Sequence, residues 1–287
     1  MTDDNGKMTD DNILHSKLFL PFQNPFQQKY WNKLIVLSNQ NNYHLSTVIF
    51  HLFAFMIKLK EIKDAFLHLL FPHVCTGCGS DILNEETVLC MRCIDRMPET
   101  NFELHADNPV EKIFWGRLQL ASATAQFYFT KESLMQHLMH QFKYKRNKEL
   151  GLQLGRMMGE QIKKSGRFEV NALVPLPLFP VKEKRRGYNQ ATILCEGMAE
   201  IMGIPVLDKA VIRPQHTETQ TKKGRIERWE NMEGKFILSD PDKISNQHLL
   251  LVDDVVTTGA TFEACGNELL KADNVRLSLA SLCVASR

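Results

Sequence analysis

A chain of 287 residues has room for one large domain, or one domain with appendages, and 44% hydrophobic with 24% charged residues excludes a fibrous or wholly disordered protein. The formal net charge of +2 does not mark a general polyanion binder, so any basic surface must be local. Four of the seven cysteines fall in one short window, which is metal arithmetic more than disulfide arithmetic.

Residues 1–12 carry MTDDN twice, at Met1–Asn5 and Met8–Asn12. The segment has nothing to bury, so order would not repay its conformational entropy, and disorder is expected. Residues 13–43 are rich in Asn and Gln, with aromatics in no clear period, and suggest no function. Leu45–Ile57 runs thirteen residues without Asp, Glu, Lys or Arg. That is too short for a transmembrane helix, which needs about 20 apolar residues. A signal peptide would lie nearer the terminus behind a basic segment, so the segment reads either as an interfacial or packed helix or as part of an upstream extension without a functional role, and a cytoplasmic protein is expected.

A helix is predicted over Ile57–Phe71, its apolar face formed by Ile62, Phe66, Leu69 and Leu70 and its end set by Pro72. Next come two C-x-x-C pairs, Cys75–Cys78 and Cys90–Cys93, eleven residues apart. Four thiolates at this spacing predict a closed tetrahedral Zn2+ site, structural because no coordination position stays open. A redox pair or an iron–sulfur site is the alternative. Metal would contribute on the order of 10 kcal/mol to folding so small a unit. The expected organisation is an extension over 1–55, a helix with a four-cysteine zinc ribbon over 56–100, a linker over 101–116 and an α/β domain over 117–287.

In that domain Leu118–Phe129 reads as strand. Ser133–Phe142 reads as an amphipathic helix with Leu134, Met135, Leu138, Met139 and Phe142 on one face. The basic segment Lys143–Arg146 reads as a solvated helix end before a second helix, about Glu149–Lys164. Asn171–Pro177 predicts a short buried strand whose exit loop holds Lys182, Lys184, Arg185 and Arg186 against one acid, Glu183. This is an anion site or a plain basic surface loop. Asn189 is placed to cap a helix over Ala191–Met202. The polar, basic stretch Arg213–Asn231 precedes a strand over Lys235–Leu238 and is long enough to predict a mobile lid. Cys195, Cys265 and Cys283 read as small buried hydrophobes.

The most informative stretch is Leu249–Phe262, LLLVDDVVTTGATF. Leu249 to Val252 show no alternation, as suits a central parallel strand covered on both faces. Asp253 and Asp254 then stand toward its carboxyl end, the edge at which open α/β sheets bind ligands. Thr257, Thr258, Gly259, Ala260 and Thr261 lead into a predicted helix, Thr261–Lys271, whose free amides and dipole suit a phosphate. The bland alternative is an acidic turn with a helix cap. A strand over Val275–Val284 completes the unit.

This stretch resembles the phosphoribosyl pyrophosphate (PRPP) signature of the type I phosphoribosyltransferases. Residues 57–287 more broadly resemble the ComF family, through LLFPHVCTGCG, CMRC, VPLPL, RRGYNQA, the pattern Arg213, Gln220, Thr221, Arg225, Asn231, and VDDVVTTGAT. Residues 1–55 have no counterpart, and the family often begins near Met56. Trp229 is bulky for the lid pattern, which also holds Arg228.

The resemblance implies a type I phosphoribosyltransferase-like fold, a mostly parallel sheet flanked by helices behind the four-cysteine ribbon. It implies that Asp253 and Asp254 accept from the ribose hydroxyls and that residues 257–261 wrap the 5′-phosphate. Lys182, Lys184, Arg185 and Arg186 would face pyrophosphate, the two arginines stabilising it as a leaving group with Mg2+. The implied activity is phosphoribosyl transfer to an unread acceptor, with no residue marked as general base and no nucleophilic N-terminal cysteine for a glutaminase half. A PRPP- or nucleotide-sensing protein, or a binder of single-stranded DNA working with DNA-uptake proteins, is the alternative.

Overall fold

The computed structural model describes residues 72–81, 87–214 and 236–285, together with helical positions Phe55, Met56, Lys58, Leu59, Ile62, Lys63, Phe66 and Leu69. The chain divides into two units, Met1–Phe71 and Pro72–Arg287. In the first, Ile62, Phe66 and Leu69 of the expected apolar face are helical and exposed. Residues 1–54 and Leu70 lie outside the described residues.

In the second unit the strands are β1 (Ser122–Phe129), β2 (Ala172–Pro175), β3 (Val211–Ile212), β4 (Ile237–Leu238), β5 (His248–Val256) and β6 (Arg276–Ala285). The helices are α1 (Met91–Asp95), α2 (Pro109–Phe114), α3 (Leu134–Tyr144), α4 (Lys148–Ser165), α5 (Pro180–Arg186), α6 (Gln190–Met202) and α7 (Ala260–Leu269). Four strands make a parallel sheet in the order β1-β6-β5-β2, and β3 pairs antiparallel with β4. The expected mostly parallel sheet flanked by helices is therefore present, with the Leu249–Val252 run on an inner strand. All four of those residues are buried, Leu249 and Leu251 in one apolar cluster and Leu250 and Val252 in the other. Burial on both faces is why the run shows no alternation.

One cluster joins Phe127, Phe142, Leu150, Leu154, Leu194 and Met198. The other joins Phe114, Phe262, Leu269, Leu277 and Leu279. Pairing on both sides of β6 passes over one level, from Ala125–Ser281 to Phe127–Cys283 and from Asp253–Ser281 to Val255–Cys283. Ala125 packs in one cluster and Phe127 in the other, so strict alternation changes face at the level of the acids.

Helices α4 and α6 meet along glycines. A Cβ on Gly155 would collide with the Leu194 carbonyl oxygen, and one on Gly197 would collide with that of Leu152. Only residues without a side chain allow this backbone approach.

Three segments differ from expectation. Phe102–Gly116, read as a linker, holds a 3-10 turn at Phe102–Leu104 and then α2. Order here comes from tertiary bonds to two residues, Arg167, which pairs with Glu111 at 3.0 Å, and Asn108. Its Oδ1 accepts from Val110 N and Glu111 N, while its Nδ2 donates to Ala123 O of β1 at 2.8 Å, and a cap of this kind contributes about 1 kcal/mol. The basic loop after β2 is the short helix α5: Pro180 starts it, Glu183 sits in its first turn, and Gly187, at φ 88°, ends it. Of the strand expected over Lys235–Leu238, Lys235 lies outside the described residues, Phe236 is not in the strand and β4 holds the remaining two.

Candidate functional site

Asp253 and Asp254 stand in the last half of β5, the strand that opens into the loop Thr257–Gly259 and then α7. Thr257, Thr258, Ala260 and Thr261 are exposed, whereas Gly259 is buried. Gly259 is the cap residue of α7 at φ 77°, and a Cβ there would lie 2.6 Å from the Phe114 ring and 2.8 Å from Ile113 Cγ2. Glycine is thus required twice, for the left-handed backbone and for the close approach to α2. Arg117 staples the same loop: its guanidinium donates to Thr258 O at 2.9 Å and to Ile113 O at 3.2 Å, and pairs with Glu263 in the first turn of α7.

The acids are not alike. Asp254 forms an ion pair with Lys143 Nζ at 2.9 Å, both side chains being mostly buried. Asp253 accepts from the Asp254 amide at 2.8 Å. Burial first, then the neighbouring charge of Asp254, pushes the Asp253 carboxyl well above the usual carboxylate range, with Lys143 and Arg186 opposing the rise. A pair of carboxylates, Asp254 buried and Asp253 half-buried, with two cations nearby suits a polyhydroxylated, anionic ligand.

Of the predicted anion residues, Lys182, Lys184 and Arg185 are exposed along α5, and Arg186 is half-buried. Arg186 donates to Gln190 Oε1 at 2.5 Å and lies 5.9 Å from the Tyr144 ring centre. Asn189 caps α6 as expected, accepting from Ala191 N at 3.1 Å, and also donates to Leu176 O at the end of β2. Arg213, the first residue of the predicted lid, lies between the rings of Phe179 and Phe236, at 5.7 and 5.1 Å. Gln220, Thr221, Arg225, Arg228 and Asn231 lie outside the described residues.

Sequence reasoning missed Lys143 and Arg117. Lys143, read as part of a solvated helix end, is drawn inward by an interlock between the α3–α4 corner and the α5–α6 corner. The Tyr188 hydroxyl donates to Phe142 O, the rings of Phe142 and Tyr188 stand 5.8 Å apart, and the Arg146 guanidinium lies against Gly187. The paired basic runs were the available signal, but nothing local says that they meet.

The second cluster is Cys75, Cys78, Cys90 and Cys93, whose sulfur atoms all lie within 4.8 Å of one another. Tetrahedral zinc with bonds of about 2.3 Å sets sulfurs about 3.8 Å apart, and Cys78 and Cys90 stand at 3.7 Å. Amides of Gly77 and Cys90 point at Cys75 Sγ at 3.4 and 3.3 Å, and Ser80 Oγ lies 3.0 Å from Cys78 Sγ. That Ser80 contact lowers the Cys78 thiol to about 6. The donor set fits a metal ion such as zinc. Thr76, between the first two cysteines, ties the cluster to the helices: its carbonyl meets His137 Nε2 at 2.9 Å and its hydroxyl meets Asn147 Nδ2 at 3.3 Å.

Sheet order, acid pair and cysteine cluster define the class: a mostly parallel α/β protein with an acid pair on an inner strand and a four-cysteine centre. The particular relatives carry other names. The chain is 27% identical over 214 residues to DNA utilization protein YhgH of Salmonella typhimurium, covering 73% of this chain and 83% of that one. It is 27% identical over 217 residues to Competence protein F of Haemophilus influenzae, covering 74% and 82%. Against Competence protein ComFC of Streptococcus pneumoniae it is 30% identical over 136 residues, covering 46% and 56%. The resemblance to ComF proteins thus extends over nearly three-quarters of the chain.

No family model matches the chain. Among solved structures, adenine phosphoribosyltransferase of Leishmania tarentolae is matched at TM-score 0.32 and 12% identity, covering 63% of this chain and 89% of that one. Glutamine PRPP amidotransferase of B. subtilis is matched at TM-score 0.31 and 17% identity, covering 45% and 25%. Likeness this weak adds nothing to the topology already described. Among the described residues no helix is long and apolar enough to cross a membrane.

Proposed function

We propose that the chain binds PRPP through the acid pair and transfers its phosphoribosyl group to an acceptor, releasing pyrophosphate. The observation that carries this reading is the placement of VDDVVTTGAT. Its acids lie near the end of an inner parallel strand, beside Lys143 and within the field of Arg186, and its threonines open a helix. Asp253 and Asp254 would bond the ribose hydroxyls, with Thr257, Thr258, Gly259, Ala260 and Thr261 around the 5′-phosphate. The acceptor's lone pair forms the new bond at C1 as the C1–oxygen pair leaves with pyrophosphate. Arg185 and Arg186 would stabilise that departing charge, Lys182 and Lys184 adding local positive potential. Mg2+, when bound with PRPP, neutralises pyrophosphate oxygens. Zn2+ at the four cysteines is read as structural.

Calorimetric titration with Mg-PRPP tests the reading. Saturable binding is expected, lost in the doubly substituted Asp253→Asn, Asp254→Asn protein while its far-UV circular dichroism stays the same; an absence of binding to the unsubstituted protein overturns it. Pyrophosphate release across base and amine acceptors then separates an enzyme from a PRPP sensor.

A second reading has its own support in the names of the relatives and in the exposed Lys145, Arg146, Lys148, Lys182, Lys184 and Arg185 on the interlocked corners. It holds that this surface binds single-stranded DNA, alone or with proteins of DNA uptake. Affinity for an oligonucleotide should then fall steeply from low to moderate salt, and a flat titration would reject it.

A further inference from the structure

We infer that Lys143 is a positioning residue of the phosphoribosyl site: it holds the Asp254 carboxylate turned as an acceptor, and its influence on ligand runs through that carboxylate. The inference rests on the PRPP reading above. The ion pair spans 2.9 Å with side-chain exposures of only 20% and 12%, so water does little to screen it.

Lys143 is also fixed from its own side. It lies in the last turn of α3, where the preceding carbonyl, that of Phe142, receives the Tyr188 hydroxyl. The following ring, Tyr144, lies against Arg186. The corner beyond is tied down by Asn147, which caps α4 with its Oδ1 and reaches Thr76 with its Nδ2. Without Lys143, the cation left to oppose the rise of the Asp253 carboxyl is Arg186, whose guanidinium also bonds Gln190. The Asp253 carboxyl, already held well above the usual carboxylate range, would rise further without the opposing charge of Lys143, and a carboxyl that keeps its proton is a hydrogen-bond donor on that oxygen, the wrong partner for half of a sugar hydroxyl's bonds.

The charged and titratable groups around the pair are Lys143 on α3, Arg186 on α5, Cys195 on α6, Cys265 on α7 and Cys283 on β6. Burial holds the three thiols protonated throughout the ordinary pH range, so they do not compete for the titration.

The test is a double-mutant cycle on Mg-PRPP affinity, with Lys143→Met, Asp254→Asn and the two combined. A loss of roughly tenfold or more is expected for Lys143→Met, and the combined protein should bind no more weakly than Asp254→Asn alone. Losses that multiply would mean that Lys143 touches ligand directly, and would overturn the inference while leaving the PRPP reading intact. A second measurement needs no ligand. The infrared band of protonated carboxyl groups, followed against pH, should persist to higher pH in Lys143→Met than in the unsubstituted protein and return to its original range in Lys143→Arg. Equal titrations in all three would overturn the inference even if PRPP itself proved not to bind. Lys143→Gln provides the same comparison should the Met protein fail to fold.

Discussion

Asp253 and Asp254 are adjacent in sequence and opposite in condition. Asp254 has a lysine at 2.9 Å, whereas Asp253 is held against its charge by burial and by that neighbour. The consequence for stability has a definite sign. A carboxyl whose folded pKa is raised binds more protons folded than unfolded, so its contribution worsens as pH climbs from about 4, the unfolded value, toward the raised one. Asp253→Asn removes that charge and should be more stable than the parent at pH 7–8, the advantage shrinking as pH falls toward 4. Urea unfolding at several pH values measures it, and an advantage constant across pH would show that charge is not its origin. The acids were legible in the linear motif because their neighbours in sequence are their neighbours in the site. Lys143 was not, because the contact that draws it in comes from Tyr188 and Arg186, residues far along the chain.

At the scale of elements, the cysteine knuckle and the α3–α4 corner form one mechanical unit. His137 and Asn147 both reach Thr76, and Gln153 Oε1 of α4 accepts from Val88 N at 3.0 Å. Losing the metal should therefore loosen the corner before it loosens the sheet. Elemental analysis is expected to find one zinc-class ion per chain, lost in Cys78→Ser. Hydrogen exchange in that protein should quicken at the first turn of α4 and the last of α3, with β5 and β6 unchanged; uniform exchange across both regions would refute the coupling. The cysteine spacing was legible because four ligands in two short pairs need no tertiary context. Helix α5 was hidden by its length, seven residues read as an exit loop, although Pro180 occupies the one helical turn where proline is welcome. Segment 102–116 looked like a linker because its order comes from tertiary partners, Asn108 bonded across to β1 and Arg167 paired with Glu111.

Across the whole molecule, the sheet was legible from one uninterrupted apolar run, since only an inner strand buries four consecutive side chains. The change of face at the level of the acids was not, because an apolar run carries no phase from which a shift could be detected. The α4–α6 seam was equally silent. Glycines in helices cost stability in isolation, and their purpose emerges only where Gly155 and Gly197 admit the opposite backbone.

The contact between Gly259 and Phe114 bears on where this chain can be cut. A shortened protein beginning at residue 117 retains every strand of the sheet and the whole VDDVVTTGAT loop, yet it discards the aromatic ring on which that loop rests, the Asn108 bond to β1 and the cysteine knuckle tied to the α3–α4 corner. Such a fragment should express with an unsettled α7 and at least a tenfold loss of Mg-PRPP affinity, while one beginning at Pro72 should match the full chain. Equal affinity of the two fragments would show that the sheet alone shapes the loop. The minimal working unit is thus set by what lies beneath a glycine rather than by where the first strand begins.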